Sequence, residues 1–478
     1  MNILLIIAPS KMYFTYNEVV NPLGILYLAS SLESDGRHNV EVLDCLAKAI
    51  SIKGLIKRLK KNPPNAVGIS FTTDARFQAF KTARALREAF PSMIIIGGGP
   101  HGTLVPDDTL KHVQAIDILV RGEGERTIID LLNTLEDQRP LETVPGISFR
   151  SDNEVIHNSD STLIPCIDTI PFPSWDRIDL RDYGLSNKVP DHPNLICANV
   201  ISARGCPGKC SFCSNPLLWG KSVRVRSASN FVDELQLLYD KFGVRYLRIS
   251  DDTFNVNHGR VIEICEQIIE RRLNLYWDCA FRVDKASLDM IKLMKRAGCV
   301  QLVYGVESVN DKTLDGLIGK KISIEQVEQV TAWCREAGLP FTGGYIISFP
   351  DEKIEDMHRT LDFMKKTGGR TGLNILRIYP GTGIEKIARE RGVLPRDFSW
   401  ADEKFVIKNT LPALSGPVPL YIENIPWPVL QKALFDWAGD NNIGLLKPLL
   451  IALKGIRGFN DITRLFQFGF TYVRRFLN

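Results

Sequence analysis

Apolar runs of strand length alternate with helix-period segments over residues 1–150. The strand-like runs cover residues 2–7, 40–44, 66–71, 93–96 and 117–120. The helical patterns between them cover residues 23–35, 52–60 and 77–90. This alternation predicts an α/β domain in which helices cover a parallel sheet.

A second alternating array occupies residues 195–395. Its apolar runs cover residues 197–202, 246–249, 276–281, 301–303, 342–347 and 375–379. Six strands with intervening helices predict an open, partial (β/α)6 barrel. Residues 151–194, between the two arrays, are polar and rich in proline. We interpret them as a linker that packs across both domains.

The residues that follow each apolar run are candidates for ligand binding, because parallel α/β folds bind ligands at the carboxyl ends of their strands. In the first array they are mostly small, namely Ser70, Thr72, Gly97, Gly98, His101, Gly122 and Glu123. Glycines let a large ligand approach the backbone, although turn formation explains them equally well. In the second array they are polar, namely Asp251, Asp252, Arg282, Glu307, Ser308, Ser348 and Tyr379. A salt bridge or a helix cap explains any single one of them as well.

Composition sets broad limits on the class of protein. The chain has 478 residues, of which 44% are hydrophobic and 24% charged, as expected for a globular protein of two or three domains. The apolar N-terminus lacks a basic leader and a small-residue cleavage site, so we interpret it as a strand and expect a cytoplasmic protein. The ten cysteines are scattered, unlike the dense paired framework of a secreted domain.

The region 396–478 is predicted to be mostly helical and carries a basic tail. Residues 441–478 contain six Lys and Arg against one Asp, and no apolar run there is long enough to span a bilayer. The favoured interpretation is a helical cap over the barrel with a solvated basic face. The alternative is an amphipathic segment on an anionic membrane surface, which would favour a lipid-like substrate. We find no nucleic-acid recognition module and expect no nucleic-acid partner.

Three cysteines in one short loop carry the most specific chemical signal. Cys206, Cys210 and Cys213 have the spacing C-x3-C-x2-C, with glycines and a proline that let the loop turn. A structural zinc site takes four protein ligands, and no second half-site follows. An iron–sulfur cluster with one open iron fits better, while zinc, a disulfide or chance remain the alternatives.

This loop, including Phe212 before the last cysteine, resembles the signature of the radical S-adenosylmethionine superfamily. The resemblance implies that Cys206, Cys210 and Cys213 hold three irons of a [4Fe-4S] cluster. The fourth iron would then bind the amino and carboxylate groups of S-adenosylmethionine. A small reducing partner such as flavodoxin or ferredoxin is implied as well.

The same resemblance assigns S-adenosylmethionine contacts to the polar strand ends of the second array. The residues implied are Phe212, Asp251, Asp252, Arg282, Glu307, Ser308, Ser348 and Tyr379. Two departures from the family pattern are present. Residues 250–252 read Ser-Asp-Asp where Gly-Gly-Glu is general, and Ser348 stands where glycine is more usual.

Residues 22–29, the Gly97 loop and residues 122–125 are similar to the Rossmann-like cobalamin-binding domain that precedes many radical S-adenosylmethionine domains. The similarity implies that cobalamin contacts Ser70, Thr72, Gly97, Gly98, His101, Gly122 and Glu123. The chain has no D-x-H-x-x-G motif, so no histidine is expected below the cobalt. His101 is then a loop residue near the corrin.

Together these resemblances identify a class B radical S-adenosylmethionine methyltransferase-like protein. They imply methylation of an unactivated carbon of a small-molecule or lipid-like substrate, by means of a 5'-deoxyadenosyl radical and methylcobalamin. One alternative is radical cyclisation, rearrangement or oxidation without methyl transfer. An alternative from another class is a non-catalytic metal-binding scaffold.

Overall fold

The computed structural model describes residues 1–9, 19–152, 154–184, 195–220, 222–403 and 418–440. Its first sheet has seven strands: β1 Asn2–Ile7, β2 Asn39–Asp44, β3 Ala66–Ser70, β4 Ile94–Gly98, β5 Ile118–Val120, β6 Ile147–Ser151 and β7 Glu154–His157. They lie in the order β2-β1-β3-β4-β5-β6-β7. Neighbours among β1–β5 are parallel, and β6 and β7 add an antiparallel edge. The sheet therefore extends into residues 151–194.

Helices cover both faces of this sheet. They are α1 Leu23–Asp35, α2 Ile52–Leu59, α3 Arg76–Ala89, α4 Pro100–Leu104, α5 Pro106–His112 and α6 Gly124–Glu136. One apolar core lies under α2 and α3, and a second lies under α1 and α6. Because β2 and β3 flank β1 on opposite sides, the sheet has a topological switch point between β1 and β3. Ligands of such sheets bind in the crevice at that carboxyl edge.

The second domain is an open barrel, which confirms the predicted fold class. Its six-stranded sheet contains β8 Cys197–Val200, β11 Tyr246–Ile249, β12 Tyr276–Ala280, β13 Cys299–Glu307, β14 Phe341–Ile347 and β15 Arg370–Ile375. Each neighbouring pair in the order β15-β14-β13-β12-β11-β8 is parallel. A separate two-stranded ribbon pairs β9 Ala203–Arg204 with β10 Arg224–Val225.

Helices pack on one face of this second sheet. The helices of this part of the chain are α7 Asn215–Trp219, α8 Ala228–Phe242, α9 His258–Glu270, α10 Leu288–Arg296, α11 Ile324–Ala337, α12 Ile354–Thr367, α13 Gly383–Glu390 and α14 Trp427–Asp440. A π-helical segment covers Lys312–Ile318. Apolar residues of α8–α12 and α14 form one continuous core with the strands. Every second residue of β14 is buried in that layer, and the alternate residues are partly exposed.

The sixth barrel strand is one prediction that the structure contradicts. The sequence pattern places it at 375–379, whereas β15 ends at Ile375. Beyond that point Leu376 and Ile378 are buried in a separate apolar cluster above the barrel, and Arg377 forms an isolated bridge with Leu420. The apolar run therefore reflects burial outside the sheet. The true strand contains Gly372 and Asn374 and is less apolar than its neighbours.

Residues 164–180 pack between α1 and α8. Their apolar side chains share one core with α1 and α8, and they are Ile164, Ile167, Ile170, Trp175 and Leu180. The Trp175 indole donates to Glu234 Oε1 at 3.0 Å, and Glu234 is also ion-paired with Arg226. This buried hydrogen bond and ion pair fix the path of the linker over α8.

Two further expectations concern the membrane. Among the described residues, no helix is both long enough and apolar enough to cross a bilayer. The basic tail, residues 441–478, lies outside the described residues. The expected membrane contact of the tail therefore stays a prediction.

Replacing Trp175 by Phe tests the linker hydrogen bond. The change keeps an aromatic ring but removes the donor to buried Glu234, so we expect a loss of about 1–3 kcal/mol in the free energy of unfolding. The melting temperature measured by circular dichroism should fall. Trp427→Phe, at a partly exposed position of α14, is the matched control and should change little. Equal melting temperatures for both variants would contradict the assignment.

Candidate active site

The ribbon β9–β10 closes the base of the loop that carries the three cysteines. Arg204 and Arg224 are directly paired across this ribbon. Gly205 follows with φ +98°, and a Cβ atom there would lie 2.6 Å from the Ser222 carbonyl oxygen. Glycine is therefore required at the point where the chain leaves β9 and enters the loop.

Two of the three thiols, Cys206 and Cys210, lie beside the turn at Gly208. The Gly208 N–H donates to Cys206 Sγ at 3.4 Å. A Cβ atom at Gly208 would be 3.4 Å from Cys206 Sγ and 3.6 Å from Cys210 Sγ. The Cys213 N–H donates to the Cys210 carbonyl oxygen at 3.0 Å, which turns the loop back on itself. All three side chains are partly exposed and free of disulfides.

The three thiols are not grouped as the ligands of a single metal ion would be. Among the described residues, no three His, Cys, Asp or Glu side chains converge closely enough to hold one metal ion. In a cubane each thiolate binds its own iron, so such close convergence is not needed. Burial raises the pKa of Cys210, and it raises that of Cys213 to about 11. Ligation by iron would supply the charge that stabilises the thiolates.

Elements of the barrel hold the far side of the loop. The Ser211 N–H donates to the Ile318 carbonyl oxygen, and the Ile384 N–H donates to the Ser211 carbonyl oxygen, both at 3.1 Å. Phe212 packs edge-on against Phe349, with ring centroids 6.2 Å apart. The loop is therefore fixed by the π-helical segment, by α13 and by the turn after β14.

The two aspartates after β11 behave differently. Asp251 is 3% exposed and accepts hydrogen bonds from the backbone N–H groups of Ser202 and Ala203 at 2.6 and 3.0 Å. Its carboxylate thus fixes the chain just before the cysteine loop. Asp252 is less buried and accepts a hydrogen bond from the Asn215 amide. Burial and the charge of Asp251 raise the pKa of Asp252 to about 6.

Two cations stand beside the cysteine loop. Arg282 forms an ion pair with Asp284 at 2.8 Å, and one of its terminal nitrogens lies 3.4 Å from the Cβ position of Gly208. Lys320 forms an ion pair with Glu307 at 2.6 Å and donates to the Gly305 carbonyl oxygen at 2.7 Å. The sequence patterns do not point to Lys320, because it lies beyond the strand end in the chain.

Three of the predicted S-adenosylmethionine contacts lie at the end of β13 or directly after β13 and β14. Glu307 has φ +69° and Ser348 has φ +73°, an unusual backbone conformation for residues other than glycine. Ser348 is 2% exposed, and its hydroxyl donates to the Tyr421 carbonyl oxygen at 2.6 Å. Ser308 is fully buried and accepts from the Asn310 N–H at 3.1 Å. The charge of Glu307 is close enough to the cysteine loop to raise the pKa of Cys210.

Tyr379, the last predicted contact, lies between the two domains. Its hydroxyl is 3.5 Å from Arg377, and Arg377 lies 3.6 Å from Asp74 of the first domain. Burial raises the pKa of Tyr379. The tyrosine is therefore a neutral hydroxyl at the boundary between the domains.

At the edge of the first sheet, the small residues serve different purposes. Ser70 ends β3 beside the switch point, and Thr72 follows it with an exposed side chain. Gly97 packs into the core, since a Cβ atom there would lie 2.6 Å from a Leu119 methyl group. By contrast, Gly122 is exposed with φ +69°, and its N–H donates to the Thr103 hydroxyl at 3.0 Å. Gly98 is partly exposed at the end of β4.

His101 is completely buried rather than open to the crevice. Its Nδ1 lies 3.1 Å from the Thr73 hydroxyl, and its ring packs edge-on against Trp400 with centroids 6.3 Å apart. Burial and the nearby charge of Arg76 hold its pKa well below the usual range, so the ring is neutral. Arg76 in turn donates to the Trp400 carbonyl oxygen at 2.6 Å. This group of residues joins the first domain to the segment that follows the barrel.

Glu123 links the first domain to the cysteine loop. Its carboxylate forms ion pairs with Arg204 and Arg224, both at 2.7 Å, and accepts from the Ile164 N–H at 2.7 Å. Arg204 also pairs with Glu125, and the three side chains Glu123, Arg204 and Glu125 are each at least nine-tenths buried. Although burial opposes ionisation, the hydrogen bonds from Arg224 and Arg204 lower the pKa of Glu123. The Glu123 carboxylate is therefore ionised, and its hydrogen bonds and ion pairs all lie in the interface between the domains.

Comparison with known proteins agrees with this geometry. Residues 200–364 match the radical SAM superfamily model, and residues 11–132 match the B12 binding domain model. The uncharacterized methyltransferase PH0819 of Pyrococcus horikoshii is 33% identical over 82% of this chain and 84% of that protein. The chain belongs to the cobalamin-binding branch of the radical S-adenosylmethionine superfamily. Its cofactors are a [4Fe-4S] cluster, S-adenosylmethionine and cobalamin, as the sequence resemblance implies.

Other members of the superfamily are also similar to this chain, and the share of each protein that the similarity covers differs among them. The anaerobic magnesium-protoporphyrin IX monomethyl ester cyclase of Rubrivivax gelatinosus is 27% identical over 71% of this chain and 61% of that protein. The hopanoid C-3 methylase of Methylococcus capsulatus is 24% identical over 95% of this chain and 86% of that protein. The structure of the radical enzyme OxsB with aqua-cobalamin shares the fold, with a TM-score of 0.74 at 18% identity over 98% of this chain and 71% of that chain.

Replacing Arg204 by Met tests the buried ion pairs between the domains. The change leaves the charges of Glu123 and Glu125 buried, so we expect a loss of about 3–5 kcal/mol in the free energy of unfolding. The double variant Arg204→Met/Glu125→Gln should recover part of it. Arg37→Met removes exposed ion pairs and should cost at most about 1 kcal/mol. Thermal unfolding of the holoprotein measures all three, and equal losses for Arg204→Met and Arg37→Met would contradict the interpretation.

Proposed function

We propose that this radical S-adenosylmethionine enzyme methylates an unactivated carbon of a small-molecule or lipid-like substrate. One observation carries the proposal: buried ion pairs of Glu123 and Glu125 with Arg204 attach the cysteine loop to the carboxyl edge of the first sheet. A methyl donor on that edge and a radical source on the loop would then face the same substrate. Proximity and fixed orientation of this kind contribute strongly to catalysis.

Cys206, Cys210 and Cys213 hold the cluster in this proposal. Arg282 and Lys320 would offset the negative charge of the thiolates and of the carboxylate of S-adenosylmethionine. When bound, the cofactors supply the radical and the methyl group, and the protein supplies binding, orientation and exclusion of water.

Each predicted S-adenosylmethionine residue takes one of two roles in the proposal. Phe212, Asp252, Arg282, Glu307 and Tyr379 would contact the ligand. The Glu307 carboxylate can accept hydrogen bonds from two ribose hydroxyls. The side chains of Asp251, Ser308 and Ser348 are bonded to the protein and would position the loops around it.

The cobalamin residues divide in the same way. Ser70, Thr72, Gly98 and Gly122 offer accessible groups at the edge of the first sheet, where the corrin would lie. Gly97, His101 and Glu123 instead support this edge, through packing, a buried ring and ion pairs respectively. The absence of a D-x-H-x-x-G motif from the sequence agrees with a cobalamin that takes no histidine from this chain.

The similarity to known enzymes supports the proposed class of substrate. The similarity to hopanoid C-3 methylase extends over 95% of the chain, which favours a lipid-like substrate here. The cyclase relatives favour a second candidate function, radical cyclisation or oxidation without methyl transfer. In either case we propose that flavodoxin or ferredoxin reduces the cluster.

Isotope labelling separates the two candidate functions. Cells that produce the wild-type chain or Cys210→Ala are fed methionine with a trideuterated methyl group, and their extracts are compared by mass spectrometry. We expect the wild type to yield a product that carries the labelled methyl group and that the variant lacks. A product that depends on the enzyme but carries no label would exclude methyl transfer and leave cyclisation or oxidation.

Replacing Cys210 by Ala tests the cluster assignment directly. We expect the anaerobically purified variant to lose bound iron, its brown absorption and reductive cleavage of S-adenosylmethionine, because one iron loses its ligand. Far-UV circular dichroism should be unchanged. Cys166→Ala, at an exposed free cysteine, is the matched control and should retain all of these properties. Cleavage retained by Cys210→Ala would overturn the assignment.

A further inference from the structure

Lysines line one face of helix α2 and of the turn that follows it. They are Lys53, Lys57, Lys60 and Lys61, here called the lysine stripe. Their spacing of i, i+4, i+7 and i+8 places them along one side of a helix. The N–H groups of the last two donate to the carbonyl oxygens of Ile56 and Arg58 at 3.0 and 3.2 Å, so the helical turn continues through them. All four lysines are exposed.

The opposite face of α2 is buried in the first domain. Leu55 and Leu59 are 0% and 4% exposed and belong to the core that lies under α2 and α3. The linker and the barrel helices instead share a core with α1, which lies on the other face of the sheet. The second domain therefore leaves the lysine stripe uncovered.

Neighbouring residues do not neutralise the positive charge of the stripe. The sequence has no Asp or Glu between Asp44 and Asp74, a stretch that contains six Lys and Arg residues. In the part of the chain that the structure describes, none of the four lysines forms an ion pair, whereas Arg58 approaches Glu41 at 3.8 Å. The stripe is therefore a surface of uncompensated positive charge.

Helix α3, which packs beside α2, does not supply the missing negative charge. Its exposed charged residues are Lys81, Arg84 and Glu88. Lys81 is ion-paired with Glu403 at 2.9 Å. These four charges cancel, so the net positive charge of this surface comes from α2.

The stripe does not stabilise the helix that carries it. Lys53 with Lys57, and Lys57 with Lys61, are like charges four residues apart, an arrangement that destabilises helices. Lys53 also lies in the first turn, where the helix dipole disfavours a cation. The dipole favours only the cations of the last turn. An arrangement that costs stability and has no packing role indicates an interaction with another molecule.

The composition of the stripe favours a diffuse anionic surface as its partner. Lysine carries a compact charge on a flexible stem, whereas recognition of a single phosphate group typically uses the planar fork of arginine. The stripe contains lysines only. Within the described ranges, α2 exposes no large apolar side chain, so it would lie on lipid headgroups without inserting. Four or more basic residues on an amphipathic helix are typical of binding to anionic lipids.

An acidic electron carrier fits this surface less well. Helix α2 runs from the carboxyl end of β2 to the amino end of β3, so Lys60 and Lys61 lie at the amino edge of the first sheet. The cysteine loop is attached through Glu123 at the opposite, carboxyl edge. A carrier bound to the stripe would therefore be separated from the cysteine loop by the length of the sheet.

We propose that the lysine stripe of α2 binds the protein to an anionic membrane surface. The contact is electrostatic and reversible, with the four ammonium groups among the lipid phosphates and Leu55 and Leu59 still in the core. It involves no reaction of the cofactors and no residue of the basic tail. The contact can therefore be tested separately from the proposed function.

Vesicle sedimentation with the full-length holoprotein tests this contact. The vesicles contain either phosphatidylcholine alone or equal parts of phosphatidylcholine and phosphatidylglycerol. We expect the wild type to bind only the mixed vesicles, and we expect added salt to weaken binding steeply because it screens exposed charges. Lys57→Gln/Lys61→Gln should weaken binding by roughly tenfold to thirtyfold. Its melting temperature should not fall, since a like-charge pair is removed.

The variant Arg272→Gln/Arg296→Gln is the matched control. Both arginines are exposed on the barrel domain, and neither forms an ion pair with another described residue. The control lowers the net charge by the same amount as the lysine variant, so it should bind the mixed vesicles as the wild type does. Equal losses for the two variants would show that net charge alone matters and would overturn the proposal.

Lysine acetylation, measured by mass spectrometry, locates the contact on the wild type. Mixed vesicles should protect Lys53 and Lys57 from acetylation. Lys292, an exposed lysine of α10, should stay as reactive as it is without vesicles. Unchanged acetylation of Lys53 and Lys57 would contradict the proposal.

Three further outcomes would overturn the proposal. They are no binding of the wild type to mixed vesicles, equal binding to both kinds of vesicle, and undiminished binding by Lys57→Gln/Lys61→Gln. The last result would leave the basic tail as the membrane contact. If that variant keeps its vesicle binding and loses affinity for flavodoxin, the partner of the stripe is an acidic protein instead.

Discussion

The structure depends on the Arg204 guanidinium, which is buried between Glu123 and Glu125. Three buried charged groups are tolerated only when each charge is paired. Because the partners come from both domains, separating the domains would leave buried charges without partners. Arg204 also directly precedes Gly205 and the cysteine loop. The orientation of the loop is consequently set by the first domain, and Arg224 strengthens this from the opposite strand of the ribbon.

A second contact between the domains restricts rotation about the first. Arg76 of α3 and His101 of α4 contact Trp400 beyond the barrel, and the Trp400 indole donates to Glu385 at 3.0 Å. One contact alone would act as a pivot. Two contacts at separate places in the chain hold the edge of the first sheet against the mouth of the barrel, which is the arrangement that two cooperating cofactors require.

Most of the fold could be predicted from the sequence, because strand positions depend on local apolar runs. The sixth barrel strand could not, because the apolar residues after Ile375 are buried outside the sheet. The part of the candidate site that lies within one short sequence motif, the cysteine loop, could be predicted. The partners of Glu123 and His101 were not predictable, since Arg204 and Trp400 are distant in the chain and only the tertiary fold brings them together. Lys320 likewise lacks any local signal.

The linker has a consequence for how such a protein can evolve. Leu23, Leu26 and Tyr27 of α1 belong to the same core as the linker and the barrel helices. The apolar interior of the second domain is thus completed by residues from the start of the chain. The two domains are separable in sequence but not in packing, so recombination that exchanged one of them alone would leave an incomplete core. Changes on one side of this shared core are therefore constrained by the residues on the other side.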